Sequence, residues 1–149
     1  MRSLERVRGL LAGRPVDHLP VQPVIMMFAA KHIVRLHMCG NTDPLIPQMK
    51  QLPVQIFELD SPTNLASARA CLGPDRVILG NVSTITDMLE GNPDQVYQAS
   101  RRCHEIAGKA HIVGTGCEVP PSTPPENLHA MVRYSREHST EHFATKAAA

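Results

Sequence analysis

The sequence predicts an α/β fold built on a parallel sheet, either an open doubly wound sheet or a (β/α) barrel. Three observations predict it. From Val34 onward the chain repeats one pattern four times: a short apolar run, a turn, a polar residue followed by proline, and a segment with helical periodicity. The apolar runs VRLHMC (34–39), VQIFEL (54–59), RVILG (76–80) and AHIVG (110–114) have the length of strands. Gly73 and Gly108 stand where the second and third helices of the series should stop.

Each element follows from local chemistry. Ser3 can cap a first helix in which Leu4, Val7, Leu10 and Leu11 form one stripe and Glu5 sits near the positive end, and Gly13-Arg14-Pro15 closes it. VQPVIMMF (21–28) is apolar on both sides, as a strand covered on both faces should be. The polar-proline pairs Asp43-Pro44, Ser61-Pro62, Asn92-Pro93 and Thr123-Pro124 read as N-cap and first helical residue of the four later helices. Glu126 completes a capping box with Thr123, ahead of Leu128, Met131, Val132 and Ser135 on one face. The segment 138–149 has little periodicity and is expected to fray; His138 and His142 would share a metal only if it were helical, and a solvated tail is the preferred reading.

One connection conflicts with this order. Only the six residues from Phe28 to Ile33 separate the Val21 run from the Val34 run, whereas a parallel crossover takes at least about a dozen. These two strands cannot be consecutive parallel neighbours, so either they form a hairpin or the chain lacks material that normally lies between them.

Composition narrows the function. The 149 residues, 42% of them hydrophobic, suit a single domain, 1–149, with a core of its own. Lys and Arg total 15 against 14 Asp and Glu, there is no Trp, and Phe and Tyr number 3 and 2, so neither charge nor stacking surface favours nucleic acid. No apolar run approaches the about 18 residues of a membrane span and the amino terminus has no apolar signal core, so a cytosolic protein with no membrane partner is expected. In that compartment Cys39, Cys71, Cys103 and Cys117 stay reduced.

His37 and Cys39 lie two apart on a strand, so both side chains leave the same face, at the carboxyl end where ligands gather in parallel α/β folds. Alone, the pair could be metal ligands, a redox couple or two buried side chains. Cys117, between Gly116 and Glu118 in GTGCEVP, takes the matching place in the fourth unit, where Gly114 and Gly116 let the backbone approach a bound group. Three N/S donors with a vacant fourth position describe a catalytic zinc site, able to hold an incoming thiol ionised. Cys71 and Cys103 fall on helical apolar stripes and read as core. Of two acids in the second unit, Glu58 and Asp60, Asp60 is nearer the loop and is the choice for a fourth ligand or a hydrogen-bond acceptor behind the ligands, with capping of the next helix as the alternative. Asn41 and Asn81, each just after Gly at a strand end, read as turn residues or substrate contacts.

The runs RLHMCGNTDPLIPQM, LGNVSTITDMLEGNPDQV and GTGCEVPPSTPPENLHAMV, with the opening ERVRGLLAGRPVDHLPVQPVIMMFAAKH, resemble the uroporphyrinogen decarboxylase superfamily, particularly its cobamide-dependent methyltransferase branch. That resemblance implies a TIM-barrel enzyme whose zinc motif, His-x-Cys and a distant Cys, falls on His37, Cys39 and Cys117. It implies transfer of a methyl group from a methylated corrinoid, carried by a partner protein, to a thiol such as coenzyme M or homocysteine. It also decides for the barrel, here incomplete: an amino-terminal helix and strand (1–33), about four carboxy-terminal βα units (34–137) and the tail, with the middle of the barrel missing. Exposed apolar edges in such a partial barrel imply self-association. Two alternatives follow from the same resemblance: decarboxylation of a porphyrinogen, disfavoured because VQPVIMMFAAKHI has no Arg for substrate carboxylates, and an inactive truncated or assembly-only half-barrel.

Overall fold

The computed structural model describes residues 3–19 and 34–138. The expected strand at 21–28, the short connection from Phe28 to Ile33 and the tail 139–149 with His142 lie outside the described residues. In chain order the elements are α1 (Ser3–Leu11), β1 (Arg35–Met38), α2 (Ile46–Met49), β2 (Ile56–Leu59), α3 (Leu65–Leu72), β3 (Val77–Gly80), α4 (Pro93–Ala107), β4 (His111–Ile112) and α5 (Pro125–Glu137). The strands form one parallel sheet in the order β1-β2-β3-β4. A βα alternation with every strand beside its predecessor is the arc of a barrel wall, as the repeat predicts.

Because strand side chains alternate, the sheet has two apolar faces. One presents Phe57, Leu59 and Ile78, with Leu36 and Met38 beside them, to α2, α3, α4 and α5 through Met49, Leu72, Val96 and Met131. The other presents Ile56, Val77, Leu79 and Ile112, covered by Leu10 with Val7 and Leu11 of α1. Leu4, the fourth member of the predicted stripe, is exposed.

The helix starts show which proline signals the backbone uses. Asn92 behaves as expected: its side chain accepts from Asp94 N and Gln95 N while the Gln95 side chain returns to Asn92 N, a complete capping box ahead of Pro93. The other three pairs are corrected. Asp43 opens a 3₁₀ turn, Asp43–Leu45, and spends its carboxylate on Asn64 N; α2 follows with Pro47 in its first turn and runs only four residues. Ser61 does not cap α3, which begins later, with Asn64 accepting from Ser67 N. Thr123 and Glu126 form no capping box, because Pro124 takes the N-cap position and Pro125 starts α5; the Thr123 hydroxyl is buried without a partner. The buried face of α5 is Asn127, Ala130, Met131, Tyr134 and Ser135, with Leu128 and Val132 only half-buried. A π-helical segment at Thr84–Leu89, capped by Ser83, fills the β3–α4 connection and was not signalled by the pattern. Gly73 and Gly108 do end α3 and α4, each at a positive φ that admits glycine most easily.

Two polar clamps close the side opposite the rim and the helix layer. The Arg69 guanidinium donates to the carbonyls of Gly73, Arg76 and Ala110, joining α3 to the starts of β3 and β4. His138, assigned to the tail on sequence grounds, instead ends α5 with its ring stacked on Tyr134 at 4.1 Å, and its carbonyl accepts from Leu19 N. Among the described residues no helix is long and apolar enough to cross a membrane.

The capping assignments are checked by urea unfolding. Asn92→Ala should cost about 1 kcal/mol, the value of a lost cap, whereas Thr123→Val, which removes a buried hydroxyl with no partner, should be neutral or stabilising.

Candidate metal centre

His37 leaves β1 on the face opposite Leu36 and Met38, and Cys39 follows it on the same side in the β1–α2 loop. Cys117 arrives from the loop after β4. The three donor atoms form a small triangle: His37 Nε2 to Cys39 Sγ is 3.1 Å, Cys39 Sγ to Cys117 Sγ 3.4 Å, and Cys117 Sγ to His37 Nε2 3.7 Å. All four cysteines are free thiols, so the short sulfur–sulfur approach is not a disulfide. Among the described residues this is the group whose donor atoms lie close enough together to hold a metal ion.

The approach of Cys117 depends on Gly116. A Cβ at that position would stand 2.5 Å from Ser61 N and 2.9 Å from the Cα and Oδ1 of Asp60, mostly fixed backbone. Only glycine lets the fourth loop lie against the second. Thr115 Oγ1 donates to the Cys117 carbonyl and Gly116 N to the Val82 carbonyl, fixing the loop from both sides.

The rim is laced together from strand end to strand end. Asp60 accepts from Gly40 N through Oδ2 and from Ser61 N through Oδ1, both at 2.7 Å. Its carboxylate is therefore occupied in holding the backbone next to Cys39, and it does not join the donor triangle. Thr63 accepts from Thr42 N and donates to the Gly40 carbonyl. Asn81 donates to the carbonyls of Asp60 and Thr63, so its amide supports the second loop, and Asn41 accepts from Asp43 N in a tight local turn. Cys103, buried on α4, donates weakly to Asn81 Oδ1, and burial pushes its thiol up to about 11. Cys71 packs half-buried against the core.

Of the two acids in the second unit, Asp60 is the one the sequence favours, and Glu58 is the one in ion-pair range of the imidazole. Glu58 pairs with His37 in the β1–β2 register and is fully buried. Its Oε2 lies 3.0 Å from Arg35 Nε, an ion-pair distance without the alignment of a hydrogen bond, and 3.5 Å from His37 Nδ1. Burial raises the Glu58 carboxyl above the ordinary carboxylate range, opposed by the charges of Arg35 and His37. The signal was present: Glu58 is the one charge in a run, VQIFEL, otherwise suited to burial. The Cys39 thiol is also raised, chiefly by its contact with Cys117.

A segment of (β/α) barrel carrying an N/S donor cluster at the carboxyl rim of its sheet is thus the class that fold and site define. The family profile described as Uroporphyrinogen decarboxylase (URO-D) matches residues 19–138. The chain belongs to that family. It is 40% identical over 102 residues to a methylated-thiol–coenzyme M methyltransferase of Methanosarcina mazei, covering 68% of this chain and 27% of that protein. It is 25% identical over 103 residues to the methylcobamide:CoM methyltransferase MtbA of Methanosarcina acetivorans, covering 69% and 30%. It is also 30% identical over 103 residues to a uroporphyrinogen decarboxylase of Albidiferax ferrireducens, covering 63% and 27%. A solved methyltransferase structure from Methanosarcina mazei superposes with a TM-score of 0.64 at 24% identity, covering 72% of this chain and 32% of that one, so the fold is part of that barrel. The chain therefore spans under a third of the length of these relatives.

The proximity of the two rim sulfurs has a direct chemical check. Treating the metal-free protein with diamide should link Cys39 to Cys117 within one chain and leave Cys71 and Cys103 alkylatable, because 3.4 Å needs only a small closure to reach the about 2.05 Å of a disulfide. In Gly116→Ala the same linkage should form at least about tenfold more slowly, as read by peptide mapping without reduction.

Proposed function

We propose that this chain carries the thiol-activating zinc site of a methyl transfer from a methylated corrinoid to a small-molecule thiol. The observation that carries the proposal is the convergence of His37, Cys39 and Cys117 on one rim. Zinc–sulfur and zinc–nitrogen bonds of about 2.3 and 2.0–2.1 Å in a tetrahedron require S···S near about 3.8 Å and N···S near about 3.6 Å. The triangle of 3.1, 3.4 and 3.7 Å meets this after shifts of a few tenths. One imidazole and two thiols are also the soft donor set zinc prefers over magnesium or calcium.

His37, Cys39 and Cys117 would hold the ion, leaving its fourth position to a substrate sulfur. Zinc bound there supplies positive charge that keeps a thiol in its ionised, nucleophilic form at neutral pH. Cys39 is exposed and the other two donors are half-buried, so the cluster is reachable from the rim where a thiol and a corrinoid would approach. In the proposed transfer the substrate sulfur would bond to the methyl carbon and the carbon–cobalt electron pair would leave with the corrinoid. Asp60 serves by holding Gly40, and through it the Cys39 loop, rather than by touching the reacting atoms. The similarity to methyltransferases acting on coenzyme M supports this reading. Porphyrinogen decarboxylation, the activity named for other relatives, gives no reason for two cysteines and a histidine to meet.

The purified chain should take up one zinc ion, and Cys39→Ser and Cys117→Ser should each abolish stoichiometric uptake when measured by native mass spectrometry. With zinc supplied, the parent should demethylate methylcobalamin in the presence of coenzyme M or homocysteine, followed by the absorbance change of the corrinoid, and the two variants should not. Zinc uptake without demethylation by any thiol would leave the metal site standing and remove the transfer activity from this chain.

A further inference from the structure

The Glu58–Arg35 pair is the part of the molecule that neither the core nor the donor triangle explains. Glu58 is 0% exposed in the middle of a four-stranded sheet, and both its carboxylate oxygens lack a hydrogen-bond donor. His37 Nδ1, buried and also without a partner, lies 3.5 Å from Oε2. Burying an acid between apolar strands is costly unless something compensates it. Arg35, two residues before His37 on the same face of β1, supplies the compensating charge at 3.0 Å. Two unpartnered polar groups facing each other across a fixed strand register are a hydrogen bond awaiting a small closure.

We propose that Glu58 is a positioning residue that acts through His37. Its carboxylate accepts a hydrogen bond from Nδ1–H, which fixes the imidazole as the tautomer with a free lone pair on Nε2, the nitrogen that faces Cys39 and Cys117. Arg35 anchors the carboxylate so that it cannot swing away. The arrangement also sets the ring plane, because the acceptor sits on β2, one strand away, where it cannot follow a rotation of the His37 side chain. Carboxylates behind metal-bound histidines typically contribute about 10–100-fold in metal affinity. This inference rests on reading His37 as a metal ligand, and its experiment separates the two.

The experiment uses the full chain at pH 8, with Glu58→Gln and the double variant Arg35→Met with Glu58→Leu. The double variant removes both buried charges together and so leaves neither unpaired if the single variant fails to fold. Far-ultraviolet circular dichroism and urea midpoints establish that each is folded. Nitrogen-15 NMR of labelled histidine then reads the His37 tautomer without metal, and competition with a chromophoric chelator reads zinc affinity. The expected result is Nδ1-protonated His37 in the parent, a shift toward the Nε2-protonated form in the double variant, and zinc binding weaker by about 10–100-fold in both variants. An unchanged tautomer, or zinc affinity within about twofold of the parent in a folded variant, overturns the positioning role and leaves the metal site intact. A parent that binds no zinc overturns the metal reading, and the tautomer comparison in the metal-free chain still decides whether Glu58 orients His37.

Discussion

Parallel pairing in a single register is the constraint on which everything else rests. All four strands point the same way, so all four carboxyl ends meet on one rim. Within that arrangement the pairing of Arg35 with Ile56 and of His37 with Glu58 decides which side chains share a face. A slip of one residue between β1 and β2 would turn His37 and Cys39 toward the helices and bring Leu36 and Met38 to the donor side. The apolar faces on both sides of the sheet oppose that slip, because it would drive an imidazole and a guanidinium into the cluster around Phe57 and Leu59. The stability of the core and the position of the site are thus two results of one alignment.

The rim gains a second level of order from hydrogen bonds between successive loops. Asp60 reaches back to Gly40, Asn81 reaches back to Asp60 and Thr63, and Gly116 lies so close to Ser61 that no side chain fits between them. Each loop is held by the next, so the sulfur–sulfur approach belongs to the rim as a whole rather than to Cys39 or Cys117. Side chains with the chemistry of ligands, Asp60 and Asn81 among them, are consumed in this scaffolding. The donors that remain uncommitted to backbone are the imidazole and the two thiols.

Family membership and chain length have different consequences. All three side chains lie within residues 19–138, the part matched by the uroporphyrinogen decarboxylase profile, and 72% of the chain superposes on a solved methyltransferase structure. The chain spans under a third of these relatives, and β1 and β4 are the edge strands of its described sheet. Donor geometry needs only the two loops and the strands between them. Pockets at the mouth of a (β/α) barrel draw on more of its loops than that.

Among the described residues the sequence by itself determined the four βα units and their order, because strand-length apolar runs, Gly73 and Gly108 are local signals that act through backbone geometry and burial. It also put His37 and Cys39 on one side, since a two-residue spacing on a strand does so in any parallel fold. The helix starts were less legible: four polar-proline pairs look alike, and only at Asn92 does Gln95 complete the reciprocal bonds, while Asn64 caps α3 in place of Ser61 and Pro124-Pro125 displace Thr123. The sequence placed Cys117 on the matching loop, but only the tertiary structure set its 3.4 Å approach to Cys39, because that distance depends on Gly116 packing against another loop. It alone showed that Glu58 faces the imidazole, since the register between strands, and not distance along the chain, sets that pairing.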